Sequence, residues 1–174
     1  MLEKYNRYKV LKIFLDSPTE KFRLREIARK IKISPPSVMN YLKEFESYGL
    51  IKKQVKGKIP FYLGERDNSE FIFYKKLSAM FELNNCGLVD YLWENLSPSA
   101  MVLYGSFAKG ESIENSDIDI FVLCKETPIK LDNFEKKLNK KIHLIFRESL
   151  KELSNELKNN ILNGIILKGY LKVF

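Results

Sequence analysis

Asp117 and Asp119 stand two residues apart, interleaved with Ile118 and Ile120, a short way after a Gly105-Ser106 pair that closes the apolar run Ala100 to Tyr104. A strand alternates its side chains between two faces, so this spacing sends both carboxylates to one side and both isoleucines into a core. Paired carboxylates suit Mg²⁺ (or Mn²⁺): such hard cations take one or two carboxylates and complete their shell with substrate phosphates. Gly105 has no Cβ to hold a polyphosphate away from the backbone, and Ser106 offers a hydroxyl and an amide N–H to a phosphate oxygen. Phe107-Ala108-Lys109-Gly110 is expected to form the first turn of a short helix aimed at the same anion, with Lys109 adding charge. The bland alternative is a pair of solvated aspartates on an edge strand beside an ordinary turn. It accounts for each piece alone, but not for their joint order between two strand-like runs.

Several elements must position these residues. Pro128 to Lys140 reads as a helix burying Leu131, Phe134 and Leu138, and Lys141 to Arg147 reads as a strand. Glu148 to Asn160 reads as a further helix with Leu150, Leu153 and Leu157 inward, and Ile165 to Phe174 as a last short strand. Helices and strands in this order predict a small α/β domain over 98–174, with one mixed sheet and helices mostly on one face. Ahead of it, 65–97 reads as a helical connector. A first helix there carries the stripe Phe71, Tyr74, Leu77 and Phe81, and after Asn84-Asn85 a second carries Leu88, Tyr91, Leu92 and Leu96. Stripes of this kind are core or interface far more often than cofactor sites.

Residues 1–64 have a different character. Tyr5, Tyr8, Leu11, Phe14 and Leu15 recur at helical spacing from Glu3 onward, until Asp16-Ser17-Pro18 stops the helix. An extended piece, Lys21 to Leu24, leads to a second helix burying Ile27, Ala28 and Ile31. Ser34 then caps a third helix, with Pro35 at its first position, Val38, Leu42 and Phe45 inward, and Gly49 at its end. Ile51 to Val55 and Ile59 to Leu63 form a hairpin across Lys56-Gly57-Lys58. This part carries 15 Lys and Arg against 6 Asp and Glu, whereas residues 65–174 carry 15 against 16. The excess positive charge therefore belongs to the N-terminal third, as a phosphate-rich partner requires.

The bulk properties exclude other classes. With 45% hydrophobic and 30% charged residues, the chain can build cores. No apolar run approaches the roughly 20 residues that span a bilayer, and Met-Leu-Glu-Lys-Tyr is not a signal peptide, so a cytoplasmic protein with no membrane partner is expected. Cys86 and Cys124 read as buried thiols rather than a disulfide framework or a zinc site.

Gly105-Ser106, Ala108-Lys109-Gly110 and Ser116-Asp117-Ile118-Asp119-Ile120 resemble the signature of the DNA polymerase beta-like nucleotidyltransferases, in particular their minimal prokaryotic members. The resemblance implies NTP as substrate. It also implies divalent metal on Asp117 and Asp119, phosphates at Gly105 and Ser106 with Lys109 assisting, and a third carboxylate on a later strand. This chain departs at that last point: on Lys141 to Arg147 the position facing the site holds His143, the chain's one histidine. A strand histidine is usually structural, and imidazole is a poor ligand for Mg²⁺, but near neutrality it can take a proton from an acceptor hydroxyl as general base. Catalysis is thus expected to rest on Asp117, Asp119 and His143.

The stretch from Leu24 to Ile51 resembles archaeal and bacterial winged helix-turn-helix regulators, which implies a DNA partner. The third helix is then the major-groove reader, with Ser37, Asn40, Tyr41 and Lys43 toward DNA, and Lys56, Lys58, Arg23 and Arg25 toward phosphates. The fold expectation is mixed α+β: a winged helix-turn-helix, a helical linker and a small nucleotidyltransferase fold. Two functions follow from it. One is NMP transfer from NTP to a hydroxyl on nucleic acid, protein or a small molecule. The other is a non-catalytic regulator or antitoxin-like protein with a degenerate nucleotide-binding domain. Readers of palindromic sites pair as dimers, so a homodimer belongs to the same expectation.

Overall fold

The computed structural model describes residues 4–172. The chain divides into two compact units, with the boundary between Lys75 and Lys76.

In the first unit α1 (Asn6–Asp16), α2 (Leu24–Ile31) and α3 (Pro35–Ser47) are followed by an antiparallel hairpin of β1 (Ile51–Lys56) and β2 (Ile59–Gly64). α3 starts where its sequence places a cap: Ser34 Oγ accepts from Ser37 N at 3.3 Å, and Pro35 needs no acceptor for the N–H it lacks. Past the end of α3, Gly49 takes φ +67. Val38, Leu42 and Phe45 are fully buried against Phe14, Ile27, Ile51 and Tyr62. Each such side chain contributes about 1.5–3 kcal/mol of transfer free energy. Lys56 pairs with Ile59, so the hairpin turn is Gly57-Lys58 alone, both at positive φ, which matches the strand twist; Lys56 itself ends β1.

Two local expectations are corrected here. Leu11, Phe14 and Leu15 are buried as their spacing predicts, but Tyr5 lies ahead of α1 and is 63% exposed, and Val10 and Ile13 are buried as well, so the covered face is wider than the expected stripe. The expected start at Glu3 lies outside the described residues. The extended piece before α2 is a single bridge, Phe22 with Tyr62, since Leu24 already opens the helix.

The connector is helical, as α4 (Ser69–Asn85) and α5 (Leu88–Leu96). Of the expected α4 stripe only Phe71 is fully buried, in the first unit's core, while Tyr74 and Leu77 are exposed. Lys75 is buried instead, and its Nζ donates to Leu15 O at 2.8 Å near the end of α1.

The second unit is built on a four-stranded mixed sheet in the order β5-β4-β3-β6. β3 (Ala100–Tyr104) runs antiparallel to β4 (Ile118–Leu123) and to β6 (Ile165–Gly169), and β4 is parallel to β5 (Ile142–Arg147). The short α6 (Gly105–Lys109) joins β3 toward β4, and α7 (Asp132–Leu138) makes the crossover that a parallel pair requires. Met101, Leu103, Ile120 and Val122 pack with α5 on one face, while Val102, Tyr104 and Phe121 pack with Leu150, Leu153 and Ile161 on the other. Helices therefore cover both faces, not one, because alternate residues of β3 and β4 are apolar in both directions.

Both flanking helices are shorter than their apolar spacing suggested. α7 begins only at Asp132, and Ile129 and Leu131 pack on the core from a loop; Leu131, Phe134 and Leu138 are half-buried. Ser154 splits the next helix by capping α8 (Asn155–Leu162), accepting from Leu157 N at 3.3 Å, so Leu150 and Leu153 lie outside it. Residues 173 and 174 of the expected last strand lie outside the described residues. No helix among the described residues is long and apolar enough to cross a membrane.

Candidate active site

β3 is buried along its whole length and delivers the chain to Gly105 in the left-handed region, φ +70. A Cβ on Gly105 would lie 2.7 Å from Asp119 Oδ2. The bare Cα is thus what lets the carboxylate sit against the turn. α6 begins at Gly105 itself, two residues earlier than the sequence suggested, so Ser106 stands in the first turn, where N–H groups have no intrahelical acceptor. Lys109 is exposed at the other end of α6, one turn from Gly105.

The loop to β4 is held by its own hydrogen bonds. Glu111 N and Ser112 N donate to Ser106 O at 2.9 and 3.2 Å, and Ile113 N donates to Ser116 Oγ at 2.8 Å. Asp117 comes just before β4 rather than within it, and Asp119 is the strand's second residue.

Strand register brings the third group in. Asp119 is opposite Tyr104 on β3 and opposite His143 on β5, so three adjacent strands place these side chains in one row on one face. His143 Nε2 is 3.8 Å from Asp117 Oδ2, and Nδ1 is 3.8 Å from Asp119 Oδ1. The imidazole therefore stands between the two carboxylates. Its side chain is 61% exposed, against 43% for Asp117 and 29% for Asp119, so the cluster is open to a ligand from solvent. Burial raises the Asp119 pKa; the His143 charge opposes that rise and the Asp117 charge adds to it. A cation bound by the carboxylates would oppose that rise.

The donor set fits a hard divalent cation: two carboxylates beside a glycine that leaves room for an anion. Among the described residues no group of three His, Cys, Asp or Glu side chains is arranged to hold a metal ion. The remaining ligands would have to come from substrate phosphates and water, the usual pattern for Mg²⁺.

By its spacing Tyr104 is only the last residue of an apolar run, yet it lies directly across from Asp119. Its pKa is raised by burial and by the Asp119 charge. Only the antiparallel register reveals this neighbour.

In the first unit Ser37, Asn40 and Lys43 are exposed along α3. Ser37 Oγ is shared with Ser34 Oγ at 2.8 Å, so its hydroxyl serves the cap. Tyr41 is half-buried and stacks on Phe45, with ring centroids 6.5 Å apart, which makes it a packing residue first. Lys56 and Lys58 are exposed on the hairpin and Arg25 on α2, while the Arg23 guanidinium lies 5.0 Å over Phe61. α3 has one cation, Lys43, against Glu44 and Glu46, so most of the positive charge flanks the helix instead of lying on it.

Residues 86–168 match a family model described as a nucleotidyltransferase domain, and residues 21–52 match one described as a winged helix-turn-helix DNA-binding domain. A protein of Methanocaldococcus jannaschii named "Putative protein adenylyltransferase" is 42% identical over 65 residues, covering 34% of this chain and 76% of that protein. A chain from a solved structure entitled "Crystal structure of the toxin-antitoxin with AMP-PNP" is 26% identical, with a TM-score of 0.39, over 49% of this chain and 73% of that one.

Proposed function

Because this chain belongs to the nucleotidyltransferase-domain family, we propose that it transfers a nucleoside monophosphate from an NTP to a hydroxyl group and holds DNA through its winged helix. The observation carrying this reading is the convergence of Asp117 and Asp119 on His143, with Asp119 set against the bare Cα of Gly105. The N–H groups and hydroxyl at Gly105-Ser106 orient the triphosphate, and Lys109, one turn along α6, adds positive charge. Mg²⁺ (or Mn²⁺) held by Asp117 and Asp119 would supply charge neutralisation on the phosphates. The acceptor oxygen bonds to the α-phosphorus, the bond to the bridging oxygen breaks, and its electrons leave with pyrophosphate. His143 takes the acceptor's proton. The name of the archaeal relative makes ATP and a protein hydroxyl the first donor and acceptor to test.

The test is pyrophosphate release with each of the four NTPs, with Mg²⁺ or Mn²⁺, in the wild type and in His143→Ala. The variant should bind nucleotide normally and turn over about 10²–10⁴-fold more slowly, the range for loss of a general base. An unchanged rate removes His143 from that role. A second reading is favoured by one observation, the imidazole where the family places a carboxylate. It expects NTP to stabilise the protein and alter its DNA affinity while no pyrophosphate appears.

On the DNA side, Lys56→Ala with Lys58→Ala should weaken binding to all sequences alike. It should also reduce the slope of log K against log salt by about two, since each phosphate contact accounts for roughly 0.9. Asn40→Ala should instead change preference at one base position. A titration series at several salt concentrations separates the two effects, and an unaltered slope would remove the hairpin from the DNA interface.

A further inference from the structure

Lys140 lies between Asn139, which ends α7 in a left-handed conformation at φ 51, and the start of β5. Its Nζ donates to Ile113 O at 3.1 Å and to Glu114 O, two successive carbonyls of the loop between α6 and β4. The same ammonium is 5.9 Å from the centroid of the Phe107 ring, on α6 next to Ser106. One residue on, Lys141 O accepts from Ile118 N at 2.8 Å, and two residues beyond that is His143. Glu135 on α7 fixes this corner from the other side, accepting from Ile142 N at 3.0 Å and from Lys141 Nζ at 2.8 Å.

Lys140 thus touches the elements that carry Ser106 and Asp117 from the base of the strand that carries His143. An ammonium has three donors and no acceptor, so it can satisfy neighbouring carbonyls of a tight loop at once. Charge-assisted bonds of this kind are stronger than neutral ones. The loop's own contacts, Ser116 N to Ile113 O at 3.1 Å and Ile113 N to Ser116 Oγ, close it on itself but do not tie it to β5. Lys140 supplies that tie.

We propose that Lys140 is a positioning residue: it clamps the loop 111–116 to the base of β5, and nucleotide affinity depends on that clamp. The proposal rests on reading the carboxylate cluster as a nucleotide site, and it predicts that the ammonium acts on the loop and not on the nucleotide.

The experiment uses the full chain as wild type, Lys140→Met and Lys140→Arg. It measures amide hydrogen exchange over 111–118 without ligand, and affinity for a non-hydrolysable ATP analogue with Mg²⁺. Lys140→Met should speed exchange at Ser116 and Ile118 about tenfold or more, the scale of a lost charged hydrogen bond, and should weaken nucleotide binding by a similar factor. Lys140→Arg should restore both. A general loss of stability would lower the melting temperature without confining faster exchange to this loop. If Lys140→Met fails to fold, Lys140→Gln, which can still donate to one carbonyl, carries the same comparison. Weakened binding with unchanged exchange would make Lys140 a direct phosphate contact and overturn the clamp, as would unchanged values of both. A wild type that binds no nucleotide sinks the proposed function together with this dependence. A wild type that binds, with Lys140→Met binding equally well, sinks the clamp alone.

Discussion

Asp119→Asn is expected to lower pyrophosphate release more than about 100-fold, beyond the 10–100-fold typical of groups that only support a metal ligand, and at the same time to stabilise the ligand-free protein. The two effects have one cause. Asp119 is half-buried against Gly105 with Asp117 nearby, so its pKa is raised above the ordinary carboxylate value, despite the opposing charge of His143. A raised carboxyl pKa means that the folded state holds the proton more tightly than the unfolded chain. Stability therefore falls as pH rises from the ordinary carboxylate value to the raised one, and above that the loss is complete. At neutral pH the wild type carries this cost and an isosteric amide does not. Melting curves of the two proteins without metal should diverge as pH is raised through that interval and should converge below it. Added Mg²⁺ and NTP should stabilise the wild type and leave the variant unmoved. Asp117→Asn should lose turnover as well, since it removes the other carboxylate beside the imidazole. An Asp119→Asn protein that turns over normally, or that melts lower than the wild type at neutral pH, would contradict the account.

The sequence makes some of this site legible and hides the rest, for physical reasons. The period of two in a strand is enough to put Asp117 and Asp119 on one side, although Asp117 lies just outside β4. Ser34, Pro35 and Gly49 mark the ends of α3 because caps act locally, and Val38, Leu42 and Phe45 follow from its helical period. That His143 would face the cluster is also a matter of alternation. Its position opposite Asp119 and not one pair further along depends on the register of two parallel strands, which the α7 crossover sets. Tyr104 and Lys140 were not legible at all: one depends on antiparallel pairing and the other on donors reaching loop carbonyls that no periodicity describes. Periodicity also fails where a helix passes from one unit to another. The α4 stripe buries Phe71 and leaves Leu77 43% exposed, since spacing says which residues share a face and not how far along the helix that face is covered. Ser154 was a cap inside an apolar pattern, and local hydrogen bonding won over the pattern.

Gly105→Ala is the sharpest structural test, because two separable penalties meet at one atom. Alanine at φ +70 costs about 1–2 kcal/mol through its own backbone, whatever surrounds it. For a unit of this size that lowers the melting temperature by about 4–8 °C per kcal/mol. The added Cβ also meets Asp119 Oδ2 at 2.7 Å, with Cγ and Cβ of the same residue at 3.5 and 3.7 Å. The end of that side chain can turn away more easily than β3 can shift, because β3 is buried between two paired strands. The fold should therefore survive while the carboxylate is displaced from the turn, and transfer should fall about as far as in Asp119→Asn. Gly87→Ala is the control in the same unit: its φ is +83, and an added Cβ there meets nothing within 4 Å. That variant should lose similar stability and keep its turnover. Equal activity in the two alanine variants would show that the close approach of Asp119 to Gly105 has no part in the chemistry. A large loss confined to Gly105→Ala, with a comparable drop in melting temperature for both, would tie activity to the position of that one carboxylate.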